Sequence, residues 1–322
     1  MRILICPLDW GIGHTSRMIP VAARLMNEGH DVVFGVSERQ AAFLRTDLTR
    51  AAVIHFPGFT TRYSRVLPMY LYTAFRIPAF IISLVREHRR LRYLLATEHF
   101  DMVISDNRMG LWNRGVRTVY VTHMLRIPMP PMLRFLEPAG VLIHRLFINR
   151  FDECHIPDLP HEGNLSGRLS HDVTLPANAS YIGILSKYDL CSPSEMEIPT
   201  ELRTLTGDKW SVLILSGPEP QRSLLREKIT GEWDHREGTL VVMEGRPDNN
   251  LHITCNEGIV SVPHLPPCAL AALLKGSRRI ISRSGYTTIM ELASLGRLDS
   301  RTTLIPTPGQ TEQEYLATRF PS

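Results

Sequence analysis

Near its C-terminal end the chain contains the segment Ser282-Arg283-Ser284-Gly285-Tyr286-Thr287-Thr288-Ile289-Met290-Glu291-Leu292. Two apolar residues, Ile280 and Ile281, precede it and predict a buried strand, which a Ser/Gly turn connects to a helix. The first turn of such a helix presents unpaired backbone N–H groups and the positive end of the helix dipole, which suit a diphosphate. Glu291 lies about two turns into the helix, where its carboxylate can accept hydrogen bonds from ribose hydroxyls. The stretch therefore predicts a nucleotide site.

A second informative stretch follows, Ile305-Pro306-Thr307-Pro308-Gly309-Gln310-Thr311-Glu312-Gln313-Glu314. Together the two stretches resemble the donor-binding region of GT-B glycosyltransferases, especially the lipid-linked N-acetylglucosaminyltransferase of peptidoglycan synthesis and its bacterial relatives, with a C-terminal domain of the glycosyltransferase family 28 type. In this resemblance Gln313 takes the place of the glutamine that contacts the donor sugar, and Gln310 belongs to the same segment. The resemblance implies an α/β fold of two Rossmann-like domains whose parallel sheets face each other across a cleft. It also implies a UDP-sugar as co-substrate and no required cofactor.

Length and pattern agree with two domains. At 322 residues, with 43% apolar and 21% charged residues, the chain is an ordinary globular protein that exceeds what one core usually serves. Short apolar runs alternate with helical patterns on both sides of a weakly patterned region from Pro157 to Ser180. We therefore expect an acceptor domain over 1–170 and a donor domain over 171–322. The chain stops at Ser322, whereas members of the resembling family usually continue with further helices, so we expect a donor domain that is truncated or short.

The turn after the first predicted strand carries the candidate base. It reads Leu8-Asp9-Trp10-Gly11-Ile12-Gly13-His14-Thr15-Ser16-Arg17, and Ser16 stands where a dinucleotide fingerprint requires its third glycine. In the resembling family a Gly-x-Gly-His segment occupies this turn and faces the acceptor, which implies an acceptor-side loop of Gly11, Gly13 and Arg17. A helix N-terminus lowers the pKa of a histidine, so a neutral His14 could take a proton there.

A carboxylate partner for His14 can come from two places. Asp106 ends the predicted strand Met102-Val103-Ile104-Ser105, which places it at the same sheet edge as His14, and Asp9 is the rival partner. Such a carboxylate orients a base and stabilises its charged form, and some GT-B enzymes use a histidine and aspartate pair of this kind. We expect an inverting transfer of a hexose, such as N-acetylglucosamine, to a hydroxyl of a lipid-linked or cell-envelope glycan.

The donor side has a second turn, after the first strand of the second domain. Ser216 and Gly217 lead toward a helix, as in the resembling fold's diphosphate turn, and Arg222 could add a charge-assisted bond to phosphate. Arg283 is either a phosphate ligand or a surface charge. No Asp-x-Asp motif lies in a suitable loop, so we predict that no metal is required.

Two basic, apolar segments, Arg65 to Tyr93 and Arg126 to Phe151, predict either peripheral contact with an anionic membrane or ordinary core helices. The start of the chain lacks the apolar region of a signal peptide and predicts a cytoplasmic protein, with the inner membrane face as the place of any contact. A net charge of +4 and the absence of a nucleic-acid motif argue against nucleic acid as a partner.

The five cysteines are scattered, which predicts buried or free thiols in a reducing compartment. Two rival functions stay open at this point. One is an epimerase of the UDP-N-acetylglucosamine type, which turns over its donor without an acceptor. The other is a non-catalytic module that binds a nucleotide sugar or a partner.

Overall fold

The first half of the chain builds a seven-stranded sheet in which every neighbouring pair is parallel. The structure, a computed structural model, describes residues 1–60, 69–207, 209–217, 219–246 and 252–320, with side chains of the helix that begins at Met69 described from residue 76. The strands of this sheet are β1 (Arg2–Pro7), β2 (Asp31–Val36), β3 (Ala52–His55), β4 (Met102–Asp106), β5 (Arg117–Val121), β6 (Glu153–Ile156) and β7 (Ala179–Tyr181), in the spatial order β3-β2-β1-β4-β5-β6-β7. Its helices are α1 (Ile12–Asn27), α2 (Glu38–Asp47), α3 (Met69–Thr97) and α4 (Glu137–Ile148).

The second half builds a six-stranded sheet. Its strands are β8 (Trp210–Ile214), β9 (Thr239–Met243), β10 (Thr254–Asn256), β11 (Ile259–Val262), β12 (Arg279–Arg283) and β13 (Thr302–Ile305), in the order β10-β11-β9-β8-β12-β13. Only the edge strand β10 runs antiparallel to its neighbour among these described strands. The helices are α5 (Thr200–Thr206), α6 (Gln221–Gly231), α7 (Pro267–Gly276), α8 (Tyr286–Ser294) and α9 (Thr311–Arg319).

Both sheets are covered on both faces, as parallel sheets with helical crossovers must be. Successive residues of β1 illustrate the pattern, because Ile3 and Ile5 pack into one core while Leu4 packs into the core on the opposite face. In the second sheet Val212 and Leu213 divide in the same way. Burial on both faces explains why these strands are continuous apolar runs in the sequence.

The functional residues lie where the strand order reverses. In the first sheet the chain moves outward from β1 to β3 and then returns to β4, which lies on the other side of β1; in the second sheet β8 and β12 meet in the same way. Ligands bind in open α/β sheets at such points, beyond the carboxyl ends of the strands. His14 follows β1 and Asp106 ends β4, while Ser216 follows β8 and Ser284 follows β12.

Three details differ from the sequence-based expectations. Strand β7 pairs with β6, so the first sheet extends to Tyr181 and the boundary expected at residues 170 and 171 falls inside it. The cause is the brevity of β7, whose three residues carry no readable pattern. The sequence predicts the first helix from Ser16 to Glu28, whereas α1 begins at Ile12, which places His14 in its first turn.

The cysteines are the third difference. Cys191 and Cys268 form a disulfide with a Cα–Cα distance of 5.4 Å, so the expectation of free thiols is wrong for this pair. Cys6 and Cys154 are free and buried, and Cys255 is free and exposed. Because the disulfide partners are 77 residues apart in sequence, no local pattern predicts their contact.

Among the described helices, none combines the length and the apolar character that a membrane span requires.

Candidate active site between the two sheets

His14 and Asp106 meet at the switch point of the first sheet. Helix α1 follows Gly11, whose φ of 153° disfavours any residue with a side chain, and His14 lies in the turn that this glycine opens. The Nδ1 atom of His14 is 2.9 Å from Oδ2 of Asp106, whose side chain is fully buried. Asp9 instead accepts a hydrogen bond from Ser37 Oγ at 3.1 Å. The structure therefore brings His14 together with Asp106 and not with Asp9.

Arg17 is buried against the same pair, one turn along α1. Its Nε donates to both carboxylate oxygens of Asp106, at 3.1 and 3.0 Å, and its Nη2 contacts Asp106 and lies 2.9 Å from Nδ1 of His14. Burial and the Arg17 cation lower the pKa of His14, although Asp106 acts in the opposite direction. The pKa of Asp106 is also lowered, because Arg17 and His14 outweigh the opposing effect of burial. Arg17 therefore belongs to the charge network rather than to an open acceptor loop.

Two residues that the sequence did not single out extend this network into the second sheet. His123, which follows β5, lies with Nδ1 3.1 Å from Nη1 of Arg17 and with Nε2 2.9 Å from Oε1 of Glu312 on α9. Its ring is stacked on Tyr286, with centroids 4.1 Å apart and planes 5° apart. The position of His123 just beyond a parallel strand next to β4 is the one sequence signal that could have identified it.

A cavity lies between the two sheets and joins the predicted donor residues to the first domain. Glu291 lines it and accepts a hydrogen bond from Ser16 Oγ at 2.6 Å. Thr287, in the first turn of α8, donates to the backbone carbonyl of Gly13 at 3.2 Å, so the N-terminal turns of α1 and α8 meet here. Burial raises the pKa of Glu291 above its ordinary value.

The diphosphate turn predicted after β8 lines the same cavity. Ser216, Gly217 and Arg222 all border it. Gly217 has a φ of 88°, a conformation that favours glycine, and it directs the chain toward α6. Arg222 is nearly buried, with Nε 3.2 Å from Oε1 of Glu219. The turn after β8 and the first turn of α8 therefore border one space, each at the end of one of two neighbouring strands.

Five of the residues predicted to bind the donor lie outside the set of described residues that line the cavity. Arg283 is buried and donates to the carbonyls of Pro306 and Gln221, at 2.8 and 2.9 Å, so it is not a surface charge. Ser284 donates to the carbonyl of Gln313, and Gln313 Oε1 accepts from Thr307 N at 2.9 Å. Gly285 caps α8, and Gln310 precedes α9. These residues shape the loops that surround the cavity.

A buried ion cluster forms another part of the cavity wall. Asp47, at the end of α2, has a fully buried carboxylate that contacts Lys187 Nζ at 2.8 Å and His264 Nε2 at 2.7 Å. Burial acts against the charge of Lys187, yet Asp47 and Glu291 raise the pKa of this ammonium group above its ordinary value. Lys187 and His264 border the cavity, and neither was found by sequence reasoning. Within the described ranges, no group of three or more His, Cys, Asp or Glu side chains could hold a metal ion.

Comparison with known proteins identifies the fold. No protein-family model and no curated protein matches the chain. Among solved structures, the spinosyn rhamnosyltransferase SpnG in complex with thymidine diphosphate is similar with a TM-score of 0.61 and 13% identity, over 99% of this chain and 84% of that one. The glycotransferase of kitacinnamycin gives a TM-score of 0.59 and 15% identity over the same shares. A protein of Listeria monocytogenes assigned as a UDP-N-acetylglucosamine 2-epimerase gives 0.55 and 12%, over 98% of this chain and 87% of that one. The chain thus has the GT-B fold, the α/β class that its sequence predicted.

Proposed function

We propose that this protein is an inverting glycosyltransferase that moves a sugar from a UDP-sugar to an acceptor hydroxyl. The observation that carries the proposal is one cavity that joins Glu291 and the diphosphate turn of the second sheet to Gly13 of the first, the residue next in sequence to His14, which is paired with the buried Asp106. The cavity can hold a nucleotide, and the pair of His14 and Asp106 can activate the hydroxyl of a nucleophile.

In this proposal the donor lies along the cavity. Its diphosphate takes the N-terminal turns of α8 and α1, where backbone N–H groups and two helix dipoles favour negative charge, with Arg222 as a cation beside it. The ribose hydroxyls donate to Glu291. The uracil ring packs against the more apolar part of the cavity wall, formed by Phe43, Met243 and Leu270.

The transfer step follows from the histidine and its carboxylate. His14 Nε2 takes the proton of the acceptor hydroxyl while Nδ1–H donates to Asp106. The hydroxyl oxygen forms a bond to the anomeric carbon from the face opposite the diphosphate, the bond between that carbon and the phosphate oxygen breaks, and the configuration inverts. UDP leaves with the electron pair, and its charge is stabilised by the helix dipoles and Arg222.

A nucleotide screen tests the proposal. The protein is incubated with UDP, dTDP and GDP, and with their sugars, while thermal stabilisation and nucleotide release are measured. We expect UDP to raise the melting temperature most, since UDP is the nucleotide of the resembling family. A larger shift with dTDP would keep the glycosyltransferase proposal and change the base, whereas no shift with any nucleotide would refute it.

A UDP-N-acetylglucosamine epimerase is the second candidate, and the likeness to the Listeria monocytogenes protein favours it. The two functions differ in what happens without an acceptor. An epimerase converts UDP-N-acetylglucosamine alone, whereas a transferase needs the acceptor for turnover beyond slow hydrolysis. A non-catalytic module would bind UDP and convert nothing, and its UDP affinity would not respond to loss of His14.

We further propose that the acceptor is presented at an anionic membrane. The segment from Pro131 through α4 exposes large apolar side chains, and Met132 and Phe135 are 86% and 75% exposed. Exposed arginines lie in this segment, two residues after it and along α3: Arg134, Arg150, Arg86 and Arg89. Apolar side chains that enter the headgroup region and arginines that bind anionic lipids are the composition of an interfacial surface. Residues 65–68 of the segment Arg65 to Tyr93 lie outside the described residues, and the side chains of this segment are described from residue 76.

Sedimentation with vesicles tests this part. The protein should bind phosphatidylglycerol vesicles at low salt and be released as salt rises, since each arginine near the surface contributes about 1 kcal/mol of screened attraction. A variant with Gln at Arg86, Arg89 and Arg134 should bind more weakly and keep its UDP affinity. The control variant carries Gln at three exposed arginines outside both segments: Arg24, Arg50 and Arg236. Equal binding by the two variants would refute a specific membrane surface.

A further inference from the structure

Arg17 makes more contacts with charged and titratable groups than a simple partner of Asp106 requires. Its Nε and Nη2 engage Asp106, Nη2 also lies 2.9 Å from His14 Nδ1, and Nη1 lies 3.1 Å from His123 Nδ1. The guanidinium group is only 1% exposed, so water does not supply these partners. Arg17 is thus fixed between the candidate base and a histidine that reaches the second sheet.

The contacts of His123 define which of its ring nitrogens carries the proton in the neutral form. An arginine nitrogen can only donate, so His123 Nδ1 must accept from Nη1 of Arg17. The proton of a neutral His123 then lies on Nε2, which donates to Oε1 of Glu312 at 2.9 Å. Stacking on Tyr286 holds the ring in the plane that both bonds need. Glu312 therefore fixes His123, and His123 fixes one end of Arg17.

At His14 two partners compete for a single atom. Asp106 can only accept a proton from Nδ1, while Nη2 of Arg17 can only donate one to it. When Nδ1 carries the proton, Nε2 is the basic nitrogen; when Nδ1 accepts from Arg17, Nε2 is protonated and cannot act as a base. We propose that Arg17 is a positioning residue that decides which ring nitrogen of His14 is basic, and that His123 and Glu312 make this choice depend on contact with the second sheet.

The proposal predicts that Arg17 and Glu312 have opposite effects on the protonation of His14. The charged and titratable groups around His14 are Arg17 on α1, Asp106 at the end of β4, His123 after β5 and Glu312 on α9, with Tyr286 of α8 against His123. Arg17 disfavours a protonated His14, whereas the negative charge of Glu312 favours it. Removing one charge or the other should therefore move the titration of His14 in opposite directions.

The experiment is a titration of the protein alone by NMR. The inference rests on the proposed function of His14, but this measurement needs no donor, acceptor or turnover, so its failure is distinct from a failure of the nucleotide screen. Histidine labelled with 13C at Cε1 reports all 13 histidines, and the spectra of His14→Gln and His123→Gln assign the two signals. The variants are Arg17→Met, Arg17→Lys and Glu312→Gln. The control is Glu314→Gln, which changes an exposed carboxylate on the same helix that accepts from Gly309 N.

We expect Arg17→Met to raise the pKa of His14 by at least about one unit, since it removes a cation in contact with the ring. Arg17→Lys should raise it less, because the ammonium group keeps a positive charge near His14, although it cannot contact Asp106 and His123 with one planar fork. Glu312→Gln should lower it, and Glu314→Gln should leave it unchanged. An unchanged titration in a folded Arg17 variant overturns the role of Arg17. If both Arg17 variants fail to fold, a Glu312→Gln titration identical to that of Glu314→Gln overturns the proposal by itself.

Discussion

Replacing Glu291 with Gln separates nucleotide binding from stability. The carboxylate accepts from Ser16 Oγ at 2.6 Å and borders the cavity, and a carboxylate can accept further bonds from ribose hydroxyls. Gln keeps the shape and one acceptor but loses the charge. Loss of a charged hydrogen bond costs about 1.5 to 3 kcal/mol, which corresponds to a roughly ten- to hundredfold weaker Kd for UDP.

The stability of the free protein should respond differently. Burial raises the pKa of Glu291, so the folded state favours the protonated carboxyl, and this contribution to stability is lost as pH rises through the folded pKa. Gln does not titrate, so at pH 8 the variant should be at least as stable as the parent while binding UDP more weakly.

Calorimetry with UDP and melting curves at pH 5 and pH 8 measure the two effects. Ser16→Ala is the matched variant, because it removes the competing donor and leaves the carboxylate, and it should not weaken UDP binding. Glu227→Gln, an exposed change in the same domain, is the control. A Glu291→Gln variant that is folded and binds UDP as tightly as the control would refute the ribose role.

His14→Ala should keep its UDP affinity and lose about a hundredfold or more in transfer, measured by release of UDP; parental turnover would place the base elsewhere. Arg222→Met should weaken binding of UDP but not of uridine, because the lost cation faces phosphate; equal losses for both ligands would contradict that position. Lys187→Met should destabilise the protein by about 3 to 5 kcal/mol in chemical denaturation, because it leaves the buried carboxylate of Asp47 with His264 alone. Lys187 and His264 lower the pKa of Asp47 despite burial, so this loss should shrink as pH falls below about 4; a constant loss would contradict it.

The strands could be predicted from sequence because each is buried on both faces. The strand predicted over Met102-Val103-Ile104-Ser105 is observed as β4 (Met102–Asp106), and the strand predicted at Ile280 and Ile281 is observed as β12 (Arg279–Arg283). β6, whose four residues include the polar Glu153 and His155, and the three-residue strands β7 and β10 were missed, since each carries too few apolar residues for a readable pattern. Local patterns also located His14, Asp106 and Glu291, because turns after parallel strands converge on one edge of a sheet.

Apart from the pairing of His14 with Asp106, the sequence could not supply the partners of the site residues. Ser16 and Glu291 are 275 positions apart, and His123 and Glu312 are 189 apart, so no local pattern relates them. The sequence predicts that Glu291 and Gln313 bind the donor and names no protein partner for either side chain. Polar groups inside a protein, however, form hydrogen bonds with other protein groups. Glu291 finds Ser16, and Gln313 finds the backbone of Thr307. Under the proposed function, a nucleotide that enters the cavity would therefore replace an existing bond between the two sheets, and its affinity would be the difference between the bonds gained and the bonds lost. For this reason the residues that bind the donor and those that hold the cleft together cannot be assigned to separate sets, and Ser16→Ala beside Glu291→Gln is the pair of changes that distinguishes the two contributions.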